Sequence, residues 1–454
     1  MAGGGGGGNT WIGALIGGGV LCGVAYGLEH AHTGPGWLIA ALLAVGGIAV
    51  VFGSCEAMIK SVEGLGEQLG WNQFVAGTMA GLASNLPEVV MLAFVIAKEP
   101  RVAFVVVALT LHVGALSFGV YAGLLPRDES GSARMPEPMV KLSTDLYACA
   151  GGVLLAVSSM MLTMRVFHKG EGPAALNAWD LYVIGAVLLF VEAVALVRLV
   201  KRFSANDAPK PAALAAAASA AAPAGAENAG SAGEAQAAGD AATGDAEAEA
   251  KPDAAGAEDP AEQGETKAET TTPAPAPASA PATDSGEAPS WGVIAFYGVL
   301  GIVTSVIGGH AVGEFADILV KSLTARGYSE MVGAIVISVF ACSGAYLMIA
   351  TAHFKGMYDL ALANVSGQVT QVPFVVLPIS LIMIGAFGQL GMVPTYPDGV
   401  LPIDLETTSV MVFGFPTMLI LWKSIQDDGR VNWLETASMV GLFALTIYLL
   451  AAHG

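Results

Sequence analysis

Ten stretches of this chain stay apolar for about twenty residues or more, and that pattern decides most of what it can fold into. They lie at roughly 37–60, 72–97, 101–125, 140–164, 178–200, 291–320, 328–353, 359–391, 407–425 and 432–452. Twenty residues of helix cross the hydrocarbon core of a bilayer. Lipid offers no partner to a bare peptide group, so such stretches satisfy their backbones as helices. The sequence predicts an all-α integral membrane protein. Composition agrees: 54% of residues are hydrophobic and 13% charged, against about a quarter charged in soluble proteins. An eleventh run, 11–28, is interrupted by glycines and lacks the preceding Lys or Arg of a signal peptide. It reads as an extra apolar helix, or a hairpin that does not fully span.

The spans fall into two groups of five. Four segments follow: a Gly-rich N-terminus with the extra helix (1–36), a first unit (37–202), a linker (203–290) and a second unit (291–454). The linker is rich in Ala, Pro, Glu and Gly, and no aromatic residue lies between Phe203 and Trp291. It cannot bury enough apolar surface to offset its chain entropy, so it is expected to be disordered. Its fifteen acids and three lysines account for −12 of the net charge of −19, so the acidity says little about what the membrane part handles. Lys and Arg are more frequent on the face that bears the linker, which predicts a cytoplasmic linker in a cell membrane protein. The four cysteines, Cys22, Cys55, Cys149 and Cys342, are dispersed through apolar runs without metal-ligand spacing and read as small buried side chains.

The two units resemble each other. Gly70-Trp71-Asn72-Gln73-Phe74-Val75-Ala76-Gly77 matches Gly327-Tyr328-Ser329-Glu330-Met331-Val332-Gly333-Ala334 at an offset of 257, which also sets Lys98 on Lys355. Five spans per unit is an odd number, so the units enter the membrane from opposite sides. Two inverted five-helix repeats are a hallmark of secondary transporters, whose sites lie at the repeat interface near the midplane.

Polar residues within the spans mark candidate chemistry. Glu88 lies inside the second span, where a carboxylate costs roughly 3 kcal/mol even on mild scales. Gly77, Gly81, Ser84 and Glu88 share a helical face. Pro87 removes a backbone donor and opens the carbonyl of Ala83, so a freed oxygen and a carboxylate lie together, as a cation requires. The alternative is a proline kink with a protonated or helix-capping Glu. In the eighth span Asn364, Gln368 and Gln371 form an amide stripe at i, i+4, i+7. Their carbonyls suit hard cations, or they hydrogen-bond other helices without an ion. Thr110, His112 and Ser117 occupy the corresponding first-unit helix, and His112 is either a proton relay or a hydrogen-bonded side chain. Asp145 and Glu192 also lie in or near spans. Glu56, Glu314 and Asp317 sit toward the ends of the first helices and read as vestibule or gate residues. His310 and His353 are read as ordinary hydrogen-bonded side chains.

These residues resemble the cation/calcium exchanger superfamily of sodium/calcium and calcium/proton exchangers. Ala83-Ser84-Asn85-Leu86-Pro87-Glu88 is similar to the superfamily's Gly-Thr-Ser-x-Pro-Glu-like motif. Asp359-Leu360-Ala361-Leu362-Ala363-Asn364-Val365-Ser366-Gly367-Gln368 is similar to its Asp-Leu-Ala-x-Gly-Asn-x-x-Gly-Ser-like motif, and Gln371 to Pro378 looks most like the calcium/proton branch. The resemblance implies a ten-helix core, alternating access, and ion ligands on the second and third helices of each repeat. Carried over, these are Ser84, Asn85, Glu88 and Thr110 from the first unit, and Asn364, Gln368 and Gln371 from the second. Two positions depart from the pattern. The second-repeat acid is replaced by Ala345, and the first-repeat Asn falls near Val106 and Val107.

One carboxylate balances one Na+ or one proton, whereas Ca2+ brings two charges and prefers six to eight oxygens. The expectation is therefore an antiporter exchanging Ca2+ or Na+ against Na+ or H+, centred on Glu88. The alternative is a non-transporting membrane protein that keeps the fold and has lost half its site, as Ala345 suggests. The chain carries no HExxH, GxSxG or phosphate-binding loop. It is expected to be no enzyme, to need no cofactor, and to bind neither nucleotide nor nucleic acid. Its expected partners are cations, protons and lipid.

Overall fold

A computed structural model describes residues 10–71, 73–128, 131–135, 137–169, 173–203, 289–354, 358–396, 399–426 and 429–453. The linker lies outside these, as do Asn72 and Lys355. The chain divides into residues 1–208 with 286–454, which hold every described helix, and residues 209–285.

An N-terminal helix, α1 (Thr10–His30), is long enough to span and packs on the first helix of the first unit, α2 (Gly36–Leu69). The first unit continues with α3 (Gln73–Ser84) and α4 (Leu86–Lys98), then α5 (Pro100–Leu124), α6 (Glu137–Phe167) and α7 (Ala178–Phe203). The second unit has α8 (Trp291–Thr324), α9 (Glu330–Ala341) and α10 (Ser343–Phe354). It goes on with α11 (Tyr358–Gln371), a π-helical turn (Val372–Val376) and α12 (Leu377–Gln389), then α13 (Leu405–Gln426) and α14 (Trp433–His453). All ten expected spans appear as helix among the described residues; nine are long enough to cross a membrane, the seventh (α9–α10) is a shorter pair, and α1 is the tenth long apolar helix. Three are interrupted: α3–α4, α9–α10 and α11–α12 each form one span in pieces.

The inversion of the two units is visible in how they meet. Their first helices, α2 and α8, run antiparallel. Gly47 packs on Val312, Met58 on Gly301, and Gly64 on Ile294. Small residues let the backbones approach closely, and Ser54 seals the crossing, donating to the Gly301 carbonyl and meeting Ser305, both at 2.6 Å. At the end of α2, Gln68 donates to the Pro289 carbonyl at 2.8 Å, which places the start of α8 on the same face. That face, where α7 ends and α8 begins, is called the linker face below.

Repeat-related details recur at or near the expected offset. Gly70 (φ 66°) and Gly327 (φ 82°) adopt the left-handed conformation, which glycine takes without a Cβ penalty. The next residues, Trp71 and Tyr328, donate to the carbonyls five residues back, Gly66 and Leu323, so both turns are Schellman caps. The fifth helices begin alike: Asn177 with Asp180, and Asn432 with Glu435, exchange reciprocal backbone bonds at the starts of α7 and α14. Two short antiparallel ribbons pair loops of opposite units. β1 (Ala133–Arg134) joins β4 (Arg430–Val431), and β2 (Ala175–Leu176) joins β3 (Leu401–Pro402). Counting spans, the first ribbon lies on the linker face and the second on the opposite face, as a two-fold axis in the membrane plane requires. The third spans, α5 and α11–α12, are the most enclosed.

Candidate functional site

The second span of each unit breaks at the same place. In the first unit the break is Asn85, between α3 and α4; in the second it is Cys342, 257 residues on, between α9 and α10. Pro87 accounts for the first: it lacks an N–H and fits only the first turn of a new helix. Gly344 holds the equivalent position in the second. Both breaks are one residue long and stay bonded: Asn85 N–H donates to the Leu82 carbonyl at 3.2 Å and Cys342 N–H to the Ser338 carbonyl at 3.3 Å, while Val89 and Tyr346 donate back to the Asn85 and Cys342 carbonyls.

The two breaks enclose one cavity of about 20 Å³, lined by Val51, Cys55, Ser84, Asn85 and Glu88 from the first unit and by Ala341, Cys342, Gly344, Ala345 and Gln368 from the second. That volume admits one water or one dehydrated ion. Glu88, only 7% exposed, lies in the first turn of α4, where the positive end of the helix dipole favours a carboxylate. Its Oε1 has no hydrogen-bond partner among the described residues, and neither does Gln368 Oε1. A buried acceptor left unpaired costs about 1–3 kcal/mol, and two such oxygens belong to side chains that line this one cavity. Ser84 donates its hydroxyl proton to the Gly81 carbonyl at 2.7 Å, while the Cys55 thiol donates to the Ser84 carbonyl at 3.4 Å. The Ser84 hydroxyl oxygen keeps its remaining lone pair.

The sequence-predicted residues separate into three groups. Ser84, Asn85, Glu88 and Gln368 converge on the cavity. Gln371 lies just behind it: Asn85 Nδ2 donates to Gln371 Oε1 at 2.6 Å, tying the first break to the amide helix. Gly81 lies beside that amide, which would be in ordinary van der Waals contact, 3.5 Å, with a Cβ there. Thr110 and Asn364 do not line the cavity. The Thr110 hydroxyl donates to the Val107 carbonyl of its own helix at 2.7 Å, and Asn364 is half-buried one turn closer to the linker face than Gln368. His112 is buried with both ring nitrogens engaged, by the Val410 carbonyl (3.0 Å) and Thr417 (3.2 Å), so its hydrogen-bonded reading stands. Asp145 is exposed, and Glu192 faces inward on α7 outside the cavity.

Sequence reasoning passed over two features. Cys55 and Cys342 were read as inert packing, yet both line the cavity; the one available signal for Cys342 was its register with Asn85. The second feature is an ion-pair cluster on the face opposite the linker. Arg101, at the start of α5, contacts Glu330 at the start of α9, Asp404 Oδ2 at 2.5 Å and Glu406 at 3.0 Å at the start of α13. Beside it Lys98 pairs with Glu314 at 2.6 Å, and Lys321 with Asp317 at 2.8 Å; Glu56, grouped with these two acids from sequence, lies part-way along α2 next to Cys55 rather than at its end. Asp404 also caps α13, accepting from the Thr407 amide at 2.8 Å. Burial opposes its charge, but the Thr407 amide and the Arg101 guanidinium outweigh that and hold Asp404 below the usual carboxylate range.

This cluster has a pH signature. Because the folded value is depressed, Asp404 contributes stability that is complete above its unfolded pKa of about 3.9. That stability is lost as pH falls through the lower folded value. Arg101→Met leaves three carboxylates facing each other, and should lower stability at pH 7 by on the order of 2 kcal/mol. The acid limb should then invert. Melting temperature of the variant should rise from pH 7 to pH 5 as repulsion is relieved, while the native protein stays level; parallel curves would contradict the assignment.

Among the described residues no three His, Cys, Asp or Glu side chains converge as a metal-holding group. The site's donors are one carboxylate and neutral oxygens. Residues 293–452, the second unit, match the family described as sodium/calcium exchanger protein. A Ca2+/H+ antiporter of Synechocystis sp. is 25% identical over 121 residues, covering 27% of this chain and 29% of that relative, less than a third of its length. Two solved structures share the fold along nearly the whole chain. The H+/Ca2+ exchanger CAX matches with a TM-score of 0.56 at 10% identity, covering 98% of this chain and 91% of that one. Native YfkE matches with 0.51 at 14% identity, covering 97% and 99%.

Proposed function

We propose that the chain is a member of the cation/calcium exchanger superfamily, to whose sodium/calcium exchanger model its residues 293–452 are similar, and that it is a secondary antiporter exchanging Ca2+ or Na+ against H+ or Na+ through Glu88. The observation that carries this reading is the pair of unpartnered buried oxygens, Glu88 Oε1 and Gln368 Oε1, at a cavity sized for one ion. Glu88 supplies the charge and takes up a proton when the cation leaves. Gln368, Ser84 and Asn85 supply neutral oxygens. Gln371 acts from behind by orienting Asn85. The broken second span of each unit supports an alternating-access reading, in which each break serves as a hinge and rocking of one unit against the other exposes the cavity to either face in turn. The linker face is cytoplasmic in this reading.

The donor count bears on the cargo. Glu88 offers two oxygens and its three neutral neighbours one each, with a single negative charge. That set balances Na+ alone, and holds Ca2+ with added water or backbone oxygens. Ala345, an apolar residue at the position equivalent to Glu88, favours a second reading in which the protein keeps the fold without transport. Flux in proteoliposomes separates the two. A Ca2+ or Na+ gradient should drive opposite proton or Na+ movement; silence across Ca2+, Na+, K+ and pH gradients would select the second reading.

A further inference from the structure

α11 is polar on more than one side, so hydropathy alone does not set its rotation in the bundle. Asn364, Gln368 and Gln371 form one stripe, and Ser366 and Thr370 form another. Nor does α12 set it, because the π-helical turn at Val372–Val376 changes the number of residues per turn between them. The Thr370 hydroxyl donates to the Ser366 and Gly367 carbonyls of its own helix. The Ser366 hydroxyl instead reaches across to α6. It meets Ser143 at 2.9 Å and the Tyr147 hydroxyl at 2.7 Å, and all three side chains are buried. Residues two apart lie about 200° round a helix. A bond that holds Ser366 therefore turns Gln368 the opposite way, to the cavity that it lines.

The first unit repeats the arrangement. His112 on α5 is held by the Val410 carbonyl at 3.0 Å and by Thr417 at 3.2 Å, both on α13. Two residues on, Gly114 faces α11, where a Cβ would lie 3.9 Å from the Gln368 amide carbon and 3.3 Å from Val369. The neighbouring α5 hydroxyls, Thr110 and Ser117, donate to carbonyls of their own helix. Resting on the cation-site reading above, we propose that Ser143 and Tyr147, acting on Ser366, and Thr417, acting on His112, are positioning residues of the cation site. They grip the backs of α11 and α5, aim Gln368 into the cavity and bring Gly114 against it. None of the five lines the cavity, so their effect on the ion passes through Gln368. Outer partners of this kind change metal affinity about 10–100-fold when removed.

The test is cation binding by the purified full chain, read as the rise in melting temperature on titration with Ca2+ and with Na+. Tyr147→Phe combined with Ser143→Ala removes both partners of Ser366, whose hydroxyl can then turn to a carbonyl of its own helix. Apparent affinity should fall about tenfold, while the melting temperature without cation stays within about 3 °C of the native value. Tyr147→Phe alone keeps the Ser143 bond and should lose about threefold, half the effect on a free-energy scale. Thr370→Val removes a hydroxyl bonded within α11 and should leave affinity within about twofold. Unchanged affinity in the double variant overturns the proposal. So does an equal loss in Thr370→Val, or a cation-free melting temperature below the stated range, since these hydroxyls would then serve structure alone. If the double variant does not fold, Tyr147→Phe decides by the same criteria. A native protein that binds a cation but moves none in proteoliposomes refutes the antiport reading and leaves the positioning role standing; one that binds neither ion refutes both.

Discussion

Glu88→Gln is expected to abolish proton-coupled cation exchange and to weaken cation binding by on the order of 100-fold or more. Removing one member of a buried charge pair costs about 3–5 kcal/mol, and each 1.4 kcal/mol is a factor of ten. The substitution keeps the shape of the side chain, and without a cation the carboxyl has little to lose: its Oε1 makes no hydrogen bond among the described residues. Melting temperature without cations should therefore stay level or rise, while the rise on adding Ca2+ or Na+ disappears. A variant that unfolds without cations yet keeps its cation response would assign Glu88 to structure, as the proline-kink alternative holds.

Ala345→Glu is expected to act in the opposite sense and to favour divalent ions. Ala345 lines the same cavity as Glu88, across the repeat axis. With one carboxylate, bound Ca2+ leaves one positive charge uncompensated in a medium of low dielectric. A second carboxylate about 4 Å from the ion attracts Ca2+ by about 4 kcal/mol more than Na+ at an effective dielectric of 20, so the preference for Ca2+ over Na+ should rise by a factor on the order of 1,000. Without an ion the two acids repel, and the variant should melt lower until Ca2+ is added. Ala345→Asp, which is smaller, checks that a weak response is not a matter of fit. Equal Na+ and Ca2+ affinities in both variants would show that charge at this position does not set the cargo.

Much of this architecture can be read from the residues, because hydropathy over twenty residues is a strong signal and an odd number of spans per repeat fixes the inversion. The repeat was legible through Gly70 and Gly327, where glycine has a backbone reason to recur. The break at Asn85 was legible through Pro87, but its twin at Cys342 was not, since no proline marks it and Ser343-Gly344 is unremarkable inside an apolar run. The π-helical turn was missed for a related reason. Pro373 and Pro378 announce irregularity without saying of what kind, and the ladder is re-formed there by a wider turn that packing decides. Within the site, spacing placed Asn364, Gln368 and Gln371 on one face but could not say which reaches the cavity. That depends on partners outside the helix: Gln368 packs over Gly114 of α5, and Gln371 is taken up by Asn85. The Arg101 cluster was invisible because its partners lie 229 to 305 residues away, and sequence gives no distance between loops.

Proton release on cation addition tests the central claim most directly. The purified protein, in weakly buffered detergent solution with a pH indicator, is titrated with Ca2+ and with Na+. If a proton and a cation compete for Glu88, the cation that binds should liberate close to one proton per protein, and Glu88→Gln should release none. Cation binding with no proton release, or release that persists in Glu88→Gln, would contradict it.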